Sequence, residues 1–404
     1  MGPSDLVVPF RGERYRAADR LSRLIAPPYD VIAPPERARL AALDEHNIVH
    51  VMLPEAPVGD RYAHAAELLA AWRAAGALAR DAEDAVYVMA QGKRVGVFAA
   101  VAAEGYEPRR VRPHEKTHAG PKADRLALLR ATRTNIESIF LIAPDADGGL
   151  ARALAGVAQA PPAAAAELDG VAIRLWVVSG QGATRLLAPA SRLPLYMADG
   201  HHRYETASAY ARENPAADRV LAFIVSARDP GLTILPTHRV IFGAGREPAA
   251  LLERWRGWFD LADVPQGADP LGHLAILGRD RTACLVAWPD GSVTGLALRP
   301  DAPLDSVPGL GASPAVRALD VARVEILVVK AILSAGTSTP LLRYVADGAD
   351  ALAAVRGGGA TAAVLLNPTR LEQVFAVADA ADVMPPKSTY FFPKVPSGLV
   401  LRPL

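Results

Sequence analysis

Residues 199–208 read Asp-Gly-His-His-Arg-Tyr-Glu-Thr-Ala-Ser and concentrate groups that bind anions. They follow a short apolar run and begin a segment of helical character, so a strand, a glycine turn and a helix start come in that order. Backbone N–H groups at a helix start, with a guanidinium beside them, favour a phosphate or a carboxylate. The alternative is a capped helix with solvated polar residues. The expected phosphate ligands are Gly200, His202, Arg203 and Thr206, and the candidate catalytic groups are Asp199, His201 and His202.

Residues 112–118 contain the pattern His-Glu-x-x-His of zinc proteases, at His114, Glu115 and His118. That chemistry needs both imidazoles on one face of a sustained helix. Here Pro113 precedes the pattern and a Gly-Pro pair follows it closely, so no long helix is expected. We interpret the segment as a polar loop that carries Glu115 and Lys116 toward a site.

Three further short segments contain basic side chains. Residues 121–125 predict the charged first turn of an amphipathic helix, for which ordinary ion pairs at a helix start are an equal alternative. Residues 236–239 repeat the combination of His and Arg at the end of a strand-like run. Residues 385–394 are interpreted as an ordered loop in which Lys387, Ser388 and Thr389 suit contacts with an anion.

Strands and helices alternate along the chain, which favours an α/β fold with a mixed sheet. Helices are predicted at 36–44, 61–78, 121–132, 248–258 and 319–334. Strands are predicted at 85–90, 95–102, 136–142, 173–178, 195–198, 220–226, 283–288 and 292–298. The first two flank residues 91–94, Gln-Gly-Lys-Arg, which are interpreted as a hairpin connection. The character changes near residue 243, so we expect one domain over residues 1–243 and a smaller α/β domain over residues 244–404. The tail 384–404 is expected to fold back toward the site.

The bulk composition is that of a globular protein of 404 residues, with 51% hydrophobic and 22% charged residues. A net charge of +1 gives no electrostatic footprint for nucleic acid. The lone cysteine, Cys284, excludes a disulfide within the chain. No secretory signal or membrane span is apparent, so a cytoplasmic protein is expected. The sequence does not set the oligomeric state.

Six segments resemble, in consistent order, the signature of one bacterial family, domain of unknown function 1015. The match runs from about residue 7 to the C-terminus. The segments are Ala-Pro-Pro-Tyr-Asp-Val-Ile (26–32), His-Glu-Lys-Thr (114–117), Pro-Lys-Ala-Asp-Arg (121–125), Ala-Asp-Gly-His-His-Arg-Tyr-Glu (198–205), Leu-Pro-Thr-His-Arg (235–239) and Met-Pro-Pro-Lys-Ser-Thr-Tyr-Phe (384–391). His118 is not part of this pattern, which weakens the zinc interpretation further.

The segment at 199–203 is also similar to the phosphate-binding turn of the ParB/sulfiredoxin fold. Members of that fold include partition proteins that hydrolyse CTP, sulfiredoxin, and kinases that phosphorylate free serine. The resemblance implies a ParB/sulfiredoxin-like N-terminal domain that binds a nucleotide or a phosphorylated metabolite at residues 200–203. In the serine kinases a carboxylate activates the serine hydroxyl, and the candidates for that role here are Asp30, Glu115 and Asp199.

We therefore expect a phosphotransfer enzyme for a small hydroxylated metabolite, with serine or phosphoserine as substrate in the kinase or the phosphatase direction. Phosphoryl transfer needs positioning and charge neutralisation. ATP or ADP is the expected nucleotide, and Mg²⁺ is expected on Asp199 or Glu115 together with phosphate oxygens, without a cage of protein ligands. The further phosphate ligands expected in the signature segments are Lys116, Lys122, Arg125, His238, Arg239, Lys387, Ser388 and Thr389.

Three other functions compete with this hypothesis. A non-catalytic sensor of a nucleotide or phosphometabolite would keep the cations but need no base. A DNA-associated role, by analogy with partition proteins, conflicts with the near-zero net charge and the lack of a recognisable helix-turn-helix. A zinc peptidase ranks last, for the reasons given above.

Overall fold

The computed structural model describes residues 5–56, 59–117, 119–191, 193–244, 248–265, 267–311, 313–335 and 339–404. Its strands are β1 (Val7–Val8), β2 (Glu13–Tyr15), β3 (Leu78–Arg80), β4 (Ala85–Gln91), β5 (Arg94–Ala102), β6 (Val111–Arg112), β7 (Thr134–Asn135), β8 (Ile139–Ala143), β9 (Ala164–Leu168), β10 (Val171–Ser179), β11 (Leu195–Asp199), β12 (Arg219–Ser226), β13 (Thr233–Leu235), β14 (His238–Phe242), β15 (Phe259–Asp263), β16 (Ala283–Ala287), β17 (Val293–Leu298), β18 (Leu341–Val345), β19 (Ala362–Leu366), β20 (Tyr390–Phe392) and β21 (Arg402–Pro403).

The α-helices are α1 (Leu21–Leu24), α2 (Pro34–Leu43), α3 (Val49–Met52), α4 (Arg61–Ala74), α5 (Ala119–Thr132), α6 (Gly149–Val157), α7 (Gly180–Leu187), α8 (His201–Glu213), α9 (Pro248–Trp255), α10 (Pro270–Leu277), α11 (Pro314–Arg317), α12 (Asp320–Val324), α13 (Lys330–Leu333), α14 (Gly348–Arg356) and α15 (Leu371–Asp379). Short 3₁₀ turns occur at Ala18–Arg20, Tyr29–Val31, Pro215–Ala217 and Leu304–Ser306, and a π-helical turn at Glu325–Val329 joins α12 to α13. The prediction of a mixed α/β fold is confirmed.

The chain forms two compact units whose division differs from the predicted one. Unit 1 comprises Met1–Pro113, Thr117–Thr233 and Pro393–Leu404, and unit 2 comprises His114–Lys116 and Ile234–Phe392. Strand β14 pairs with β18 and β19, so residues 238–242 belong to unit 2 rather than ending the first domain at 243. Strand β21 pairs with β7, which places the last residues of the predicted tail in unit 1.

Unit 1 is built on a mixed sheet in the order β6-β11-β8-β12-β5-β4-β10-β9, with β1 beside β5. Strands β6 and β11 are parallel, as are β8 and β12, while the other neighbours are antiparallel. A two-residue turn joins β4 to β5, where the sequence predicted a hairpin. The apolar core packs one face of the sheet against helices that include α6, α7 and α8.

Helices α5 and α8 lie side by side in unit 1 and run in the same direction. Lys122 of α5 pairs with Glu205 of α8. Nearer the C-terminal ends of both helices, Arg130 of α5 pairs with Glu213 of α8 at 2.6 Å. Because both pairs advance together along the two helices, the N-terminal ends of α5 and α8 lie at the same end of the pair. Each N-terminal end carries a partial positive charge.

Unit 2 is built on an antiparallel sheet in the order β15-β17-β16-β19-β14-β18. Its apolar core contains Val240 of β14, Leu274 of α10 and Ala351 of α14. The predicted helix 319–334 is present, interrupted by the π-helical turn. Across the described part of the chain, no helix combines the length and the apolar character that a membrane crossing requires.

Candidate anion-binding site

Gly200 joins β11 to α8 in a backbone conformation that suits glycine alone. Its φ is +89°, and a Cβ built on it would lie 3.0 Å from the Cα of Ile139. The Gly200 N–H donates to Asp199 Oδ1 at 2.7 Å, which closes the turn. Because glycine is the N-cap of α8, no side chain there competes with a ligand for the first N–H groups of the helix.

The Asp199 carboxylate is held between two cations. Lys394 Nζ donates to its Oδ2 at 2.7 Å, and Arg203 Nη2 lies 3.7 Å from its Oδ1. Burial alone would raise the pKa of Asp199, but the charges of Lys394 and Arg203 outweigh it and hold the pKa well below its usual range. A carboxylate of such low pKa is a weak base, so the geometry favours Asp199 as a positioning group for the two cations.

The Arg203 guanidinium is almost enclosed, with 11% of its side chain exposed. Its Nη1 donates to the carbonyl oxygen of Ser138. Burial opposes the charged form, yet the carboxylates of Glu137, Asp199 and Asp30 raise the pKa of Arg203 above its ordinary value. Asp30 is exposed and lies in the 3₁₀ turn Tyr29–Val31. The structure thus brings two predicted carboxylates, Asp30 and Asp199, and a third that was not predicted, Glu137, near one permanent cation.

Glu137 is a buried carboxylate of this site that the sequence analysis missed. It is 8% exposed, and its Oε1 accepts a hydrogen bond from the Tyr29 N–H at 3.0 Å. Its Oε2 lies 3.5 Å from Arg125 Nη1, and the Arg125 guanidinium lies 4.3 Å from the centre of the Tyr29 ring. Arg125, expected as a phosphate ligand, also donates to the carbonyl oxygen of Met52 at 2.8 Å. Glu137 therefore joins the Tyr29 turn to the two arginines.

Two pockets flank the contact between α5 and α8, and Thr206 lines both. The smaller, of about 50 Å³, is lined by Arg125, Glu137 and Arg203 and has room for a small group only. The larger, of about 470 Å³, has the size of a small-molecule site and is lined by Lys122 among others. Thr206 is 4% exposed, and its hydroxyl has no hydrogen-bond partner among the described residues.

Three other predicted residues, Lys122, His201 and His202, lie on α5 and α8. Lys122 Nζ donates at 3.0 Å to Glu205 Oε2, which also accepts from the Thr117 hydroxyl at 2.8 Å, so a carboxylate already engages this ammonium. His201 and His202 form the first turn of α8, where His201 is 6% exposed and His202 is half-buried. Their adjacent positions separate the two rings by about 100° around the helix.

The predicted segments 114–116 and 385–389 come together inside unit 2. His114 Nε2 lies 3.0 Å from the Thr389 hydroxyl oxygen, and the Met384 N–H donates to the His114 carbonyl at 2.8 Å. The buried Ser388 hydroxyl donates to the carbonyl of Pro385 at 2.6 Å.

The other predicted site residues of these two segments differ in exposure. Glu115 is half-buried, while Lys116 and Lys387 are exposed.

His238 and Arg239 are interior residues of unit 2. His238 is fully buried, and its Nδ1 accepts from the Leu366 N–H at 3.2 Å. Burial, with a smaller contribution from Arg239, lowers the pKa of His238 to about 4. Arg239 is 1% exposed and lies 3.3 Å from Glu325 Oε2, through its Nε. Each side chain thus has a partner within unit 2, while His238 Nε2 and Arg239 Nη2 have no hydrogen-bond partner among the described residues.

The sequence offered two candidate metal sites, the zinc-protease pattern at residues 114–118 and a carboxylate for Mg²⁺. The segment before α5 is irregular at Pro113–Thr117, and His118 lies outside the described residues. Among the residues that are described, no three His, Cys, Asp or Glu side chains are arranged to hold a metal ion. Asp199 fits Mg²⁺ poorly because Lys394 and Arg203 already neutralise its charge.

The fold and the site define a two-unit α/β protein whose first unit presents cations and a helix start at one turn. The chain belongs to the family described as protein of unknown function (DUF1015), whose model matches residues 7–322, as the sequence segments predicted. No protein of curated function matches the chain in sequence.

The solved structures that match this chain share little of its sequence. A free serine kinase in complex with AMP is 12% identical, covers 73% of this chain and 86% of its own, and has a TM-score of 0.38. A conserved hypothetical protein from Pyrococcus furiosus is 13% identical, with 76% and 96% covered and a TM-score of 0.38. SbnI from Staphylococcus aureus, truncated at its C-terminus, is 11% identical, with 76% and 81% covered and a TM-score of 0.36.

Proposed function

We propose that unit 1 binds a phosphorylated small molecule at the start of α8 and that the protein is a phosphotransfer enzyme. The observation that carries this proposal is the Gly200 turn, where the Asp199 carboxylate holds Lys394 and Arg203 beside the N-terminal end of a helix of 13 residues. Such an arrangement suits an oxyanion, since it combines fixed cations with backbone N–H groups. The larger pocket beside α5 and α8 supplies the volume for the rest of a ligand.

The proposed substrate is a small hydroxylated metabolite, L-serine or O-phosphoserine, with ATP or ADP as nucleotide. Transfer to a hydroxyl needs a base that takes its proton as the new O–P bond forms and the bond to the leaving oxygen breaks. Asp30 suits that role best because it is exposed and interacts with Arg203, the proposed phosphate ligand, whereas Lys394 and Arg203 already engage Asp199. Glu115 stays a second candidate. Removing the base should slow turnover roughly 10²–10⁴-fold.

Phosphorus NMR on the full chain with Mg²⁺ tests this proposal in two samples. One holds L-serine with ATP or ADP, and the other holds O-phosphoserine alone. New phosphoserine in the first sample demonstrates a kinase, and inorganic phosphate in the second demonstrates a phosphatase. Either signal should vanish in Arg203→Ala and fall strongly in Asp30→Asn. Silence in both samples would exclude the serine substrate.

A non-catalytic sensor is the second candidate, and the low pKa of Asp199 is the observation that favours it. A sensor needs the cations but no proton acceptor. Substituting Asp30 and Glu115 singly by their amides separates the two functions. Nucleotide binding kept in both variants, with no turnover in the parent chain, would favour the sensor.

A further inference from the structure

Arg94 is a fully buried arginine in unit 1 that neither the family signature nor the proposed chemistry uses. It begins β5 and is 0% exposed, and its guanidinium lies 4.9 Å from the centre of the Phe140 ring and 5.5 Å from that of Phe223. One nitrogen, Nη2, donates to Gln91 Oε1. The N–H groups of Nε and Nη1 have no hydrogen-bond partner within the described part of the chain.

A short chain of contacts connects Arg94 with the Gly200 turn. The Gln91 side chain that binds Arg94 donates through Nε2 to the carbonyl oxygen of Lys394 at 2.9 Å. The Lys394 ammonium in turn binds Asp199 at 2.7 Å. Phe140, on which the guanidinium rests, is the register partner of Asp199 between β8 and β11. Arg94 therefore packs close to the end of β11, which carries the proposed anion site.

The Arg94 guanidinium forms no ion pair with a carboxylate among the described residues. Asp199, which interacts with its charge, is bound by Lys394 at 2.7 Å. Asp229, the other carboxylate that interacts with its charge, accepts from the backbone N–H groups of Val95 at 3.0 Å and Gly231 at 2.8 Å. Burial lowers the pKa of Arg94 to about 10, with Asp229 and Asp199 opposing the shift, so the guanidinium is charged at neutral pH.

A buried guanidinium with open N–H groups is costly, and proteins seldom keep one without a partner. We infer that Arg94 is a further anion-binding residue of the unit 1 site and that its open N–H groups take an oxygen of a phosphate or carboxylate group of the ligand. This inference rests on the proposed function, because it adds a ligand contact to the same site. Aromatic rings on the guanidinium keep it desolvated, which strengthens a hydrogen bond to an oxyanion.

Substitution of two arginines of unit 1, Arg94 and Arg14, should have opposite effects on the melting temperature and on anion binding. Arg94→Met fills the space between the rings with an apolar chain, so the unliganded melting temperature should stay equal or rise. Its affinity for an oxyanion should fall about tenfold to a hundredfold, the range for a charged hydrogen bond. Arg14 is the matched control, since its Nε and Nη2 bind Asp81 at 3.1 and 2.6 Å and its guanidinium lies 5.8 Å from the Tyr87 ring centre. Arg14→Met should melt earlier and bind normally.

The experiment is a thermal-shift titration of the full chain with inorganic phosphate, L-serine and ADP as separate probes. A loss confined to inorganic phosphate and ADP assigns Arg94 to a phosphate, and a loss confined to L-serine assigns it to a carboxylate. Unchanged affinity for every probe in Arg94→Met, with an earlier melt like that of Arg14→Met, would overturn the inference. If Arg94→Met does not fold, Arg94→Lys keeps the charge but loses Nη1 and should show the same loss of affinity.

The two proposals fail in different ways. If the wild-type chain responds to none of the probes, both the Arg94 inference and the proposed function are wrong. If binding depends on Arg94 but phosphorus NMR shows no transfer, the inference stands and the enzyme proposal fails.

Discussion

At the scale of single residues, Asp199 should stabilise the fold through the cations it holds. Asp199→Asn removes the carboxylate that binds Lys394 at 2.7 Å and lies 3.7 Å from Arg203, and breaking a buried pair in this way costs roughly 3–5 kcal/mol. Urea unfolding at pH 7 measures the loss. Glu36→Gln, which breaks an exposed pair with Arg39, is the control and should leave the midpoint unchanged within error.

The difference in unfolding free energy between wild type and Asp199→Asn should depend on pH, because the pKa of Asp199 is lowered in the folded state. The unfolded chain takes up the proton near the ordinary value of 3.8, and the folded chain does so only at lower pH. The stabilisation is therefore complete above about pH 5 and is lost as the pH falls through the folded value. A difference between wild type and Asp199→Asn that grows on acidification would contradict the ion-pair account.

His238 should be an acid-sensitive residue of unit 2. Its folded pKa is about 4, against an ordinary value of 6.5, because the ring is buried. As the pH falls, the unfolded state therefore binds a proton at His238 before the folded state does. The contribution of the neutral His238 ring to stability is complete above pH 6.5 and is lost between pH 6.5 and 4. The shift corresponds to about 3 kcal/mol. Proton NMR of the ring against pH, assigned with His238→Gln, measures it, and a midpoint near 6.5 would refute the assignment.

At the scale of elements, the turn between β11 and α8 depends on the absence of a side chain at Gly200. Gly200→Ala combines a φ of +89° with a Cβ 3.0 Å from the Ile139 backbone. Gly76→Ala is the matched control, because it has a φ of +72° and nothing within 4 Å. Thermal unfolding should show a cost of about 1 kcal/mol for Gly76→Ala and a larger one for Gly200→Ala. Equal costs would mean that the turn yields without strain.

The elements also show which parts of the site a sequence can predict. Asp199, Gly200 and Arg203 are neighbours in the chain, so a strand, a turn and a helix suffice to place them together. Lys394 binds Asp199 across 195 residues, and no local pattern predicts such a pairing. Glu137 left a weak signal, as the only charged residue in the predicted strand 136–142.

Strand positions followed the predictions closely where apolar runs were long, as in β4, β5 and β12. The domain boundary was harder to predict, because β14 looks like a continuation of the preceding strands until its partners β18 and β19 are known. Arg94 was assigned only to a hairpin connection, since the burial of a side chain beside a turn depends on the rings that pack on it.

At the scale of the whole molecule, the last residues complete unit 1 although unit 2 precedes them in the chain. Leu399, Val400 and Leu401 are at most 2% exposed, and the Glu13 and Leu401 backbones exchange hydrogen bonds of 2.9 Å. A chain ending at residue 392 should therefore lose the cooperative melting of unit 1, because it exposes this apolar surface. Circular dichroism during heating tests the expectation.

Lys394→Met in the full chain is the control for the truncation, since it removes the ammonium but keeps the terminal segment. It should melt cooperatively and bind inorganic phosphate more weakly than wild type. A truncated chain that melts like wild type would contradict the assignment of residues 393–404 to unit 1.

Calorimetric titration with ADP measures whether the turn before α8 binds the phosphate of a small molecule through Arg203. Wild type should bind ADP, and Arg203→Ala should weaken binding by about 10–100-fold, the range for a charged hydrogen bond. Arg203→Lys should recover part of the affinity. Arg130→Ala, which removes an exposed arginine from the far end of α5, should bind as wild type does. Equal affinity in wild type and in a folded Arg203→Ala would contradict the claim.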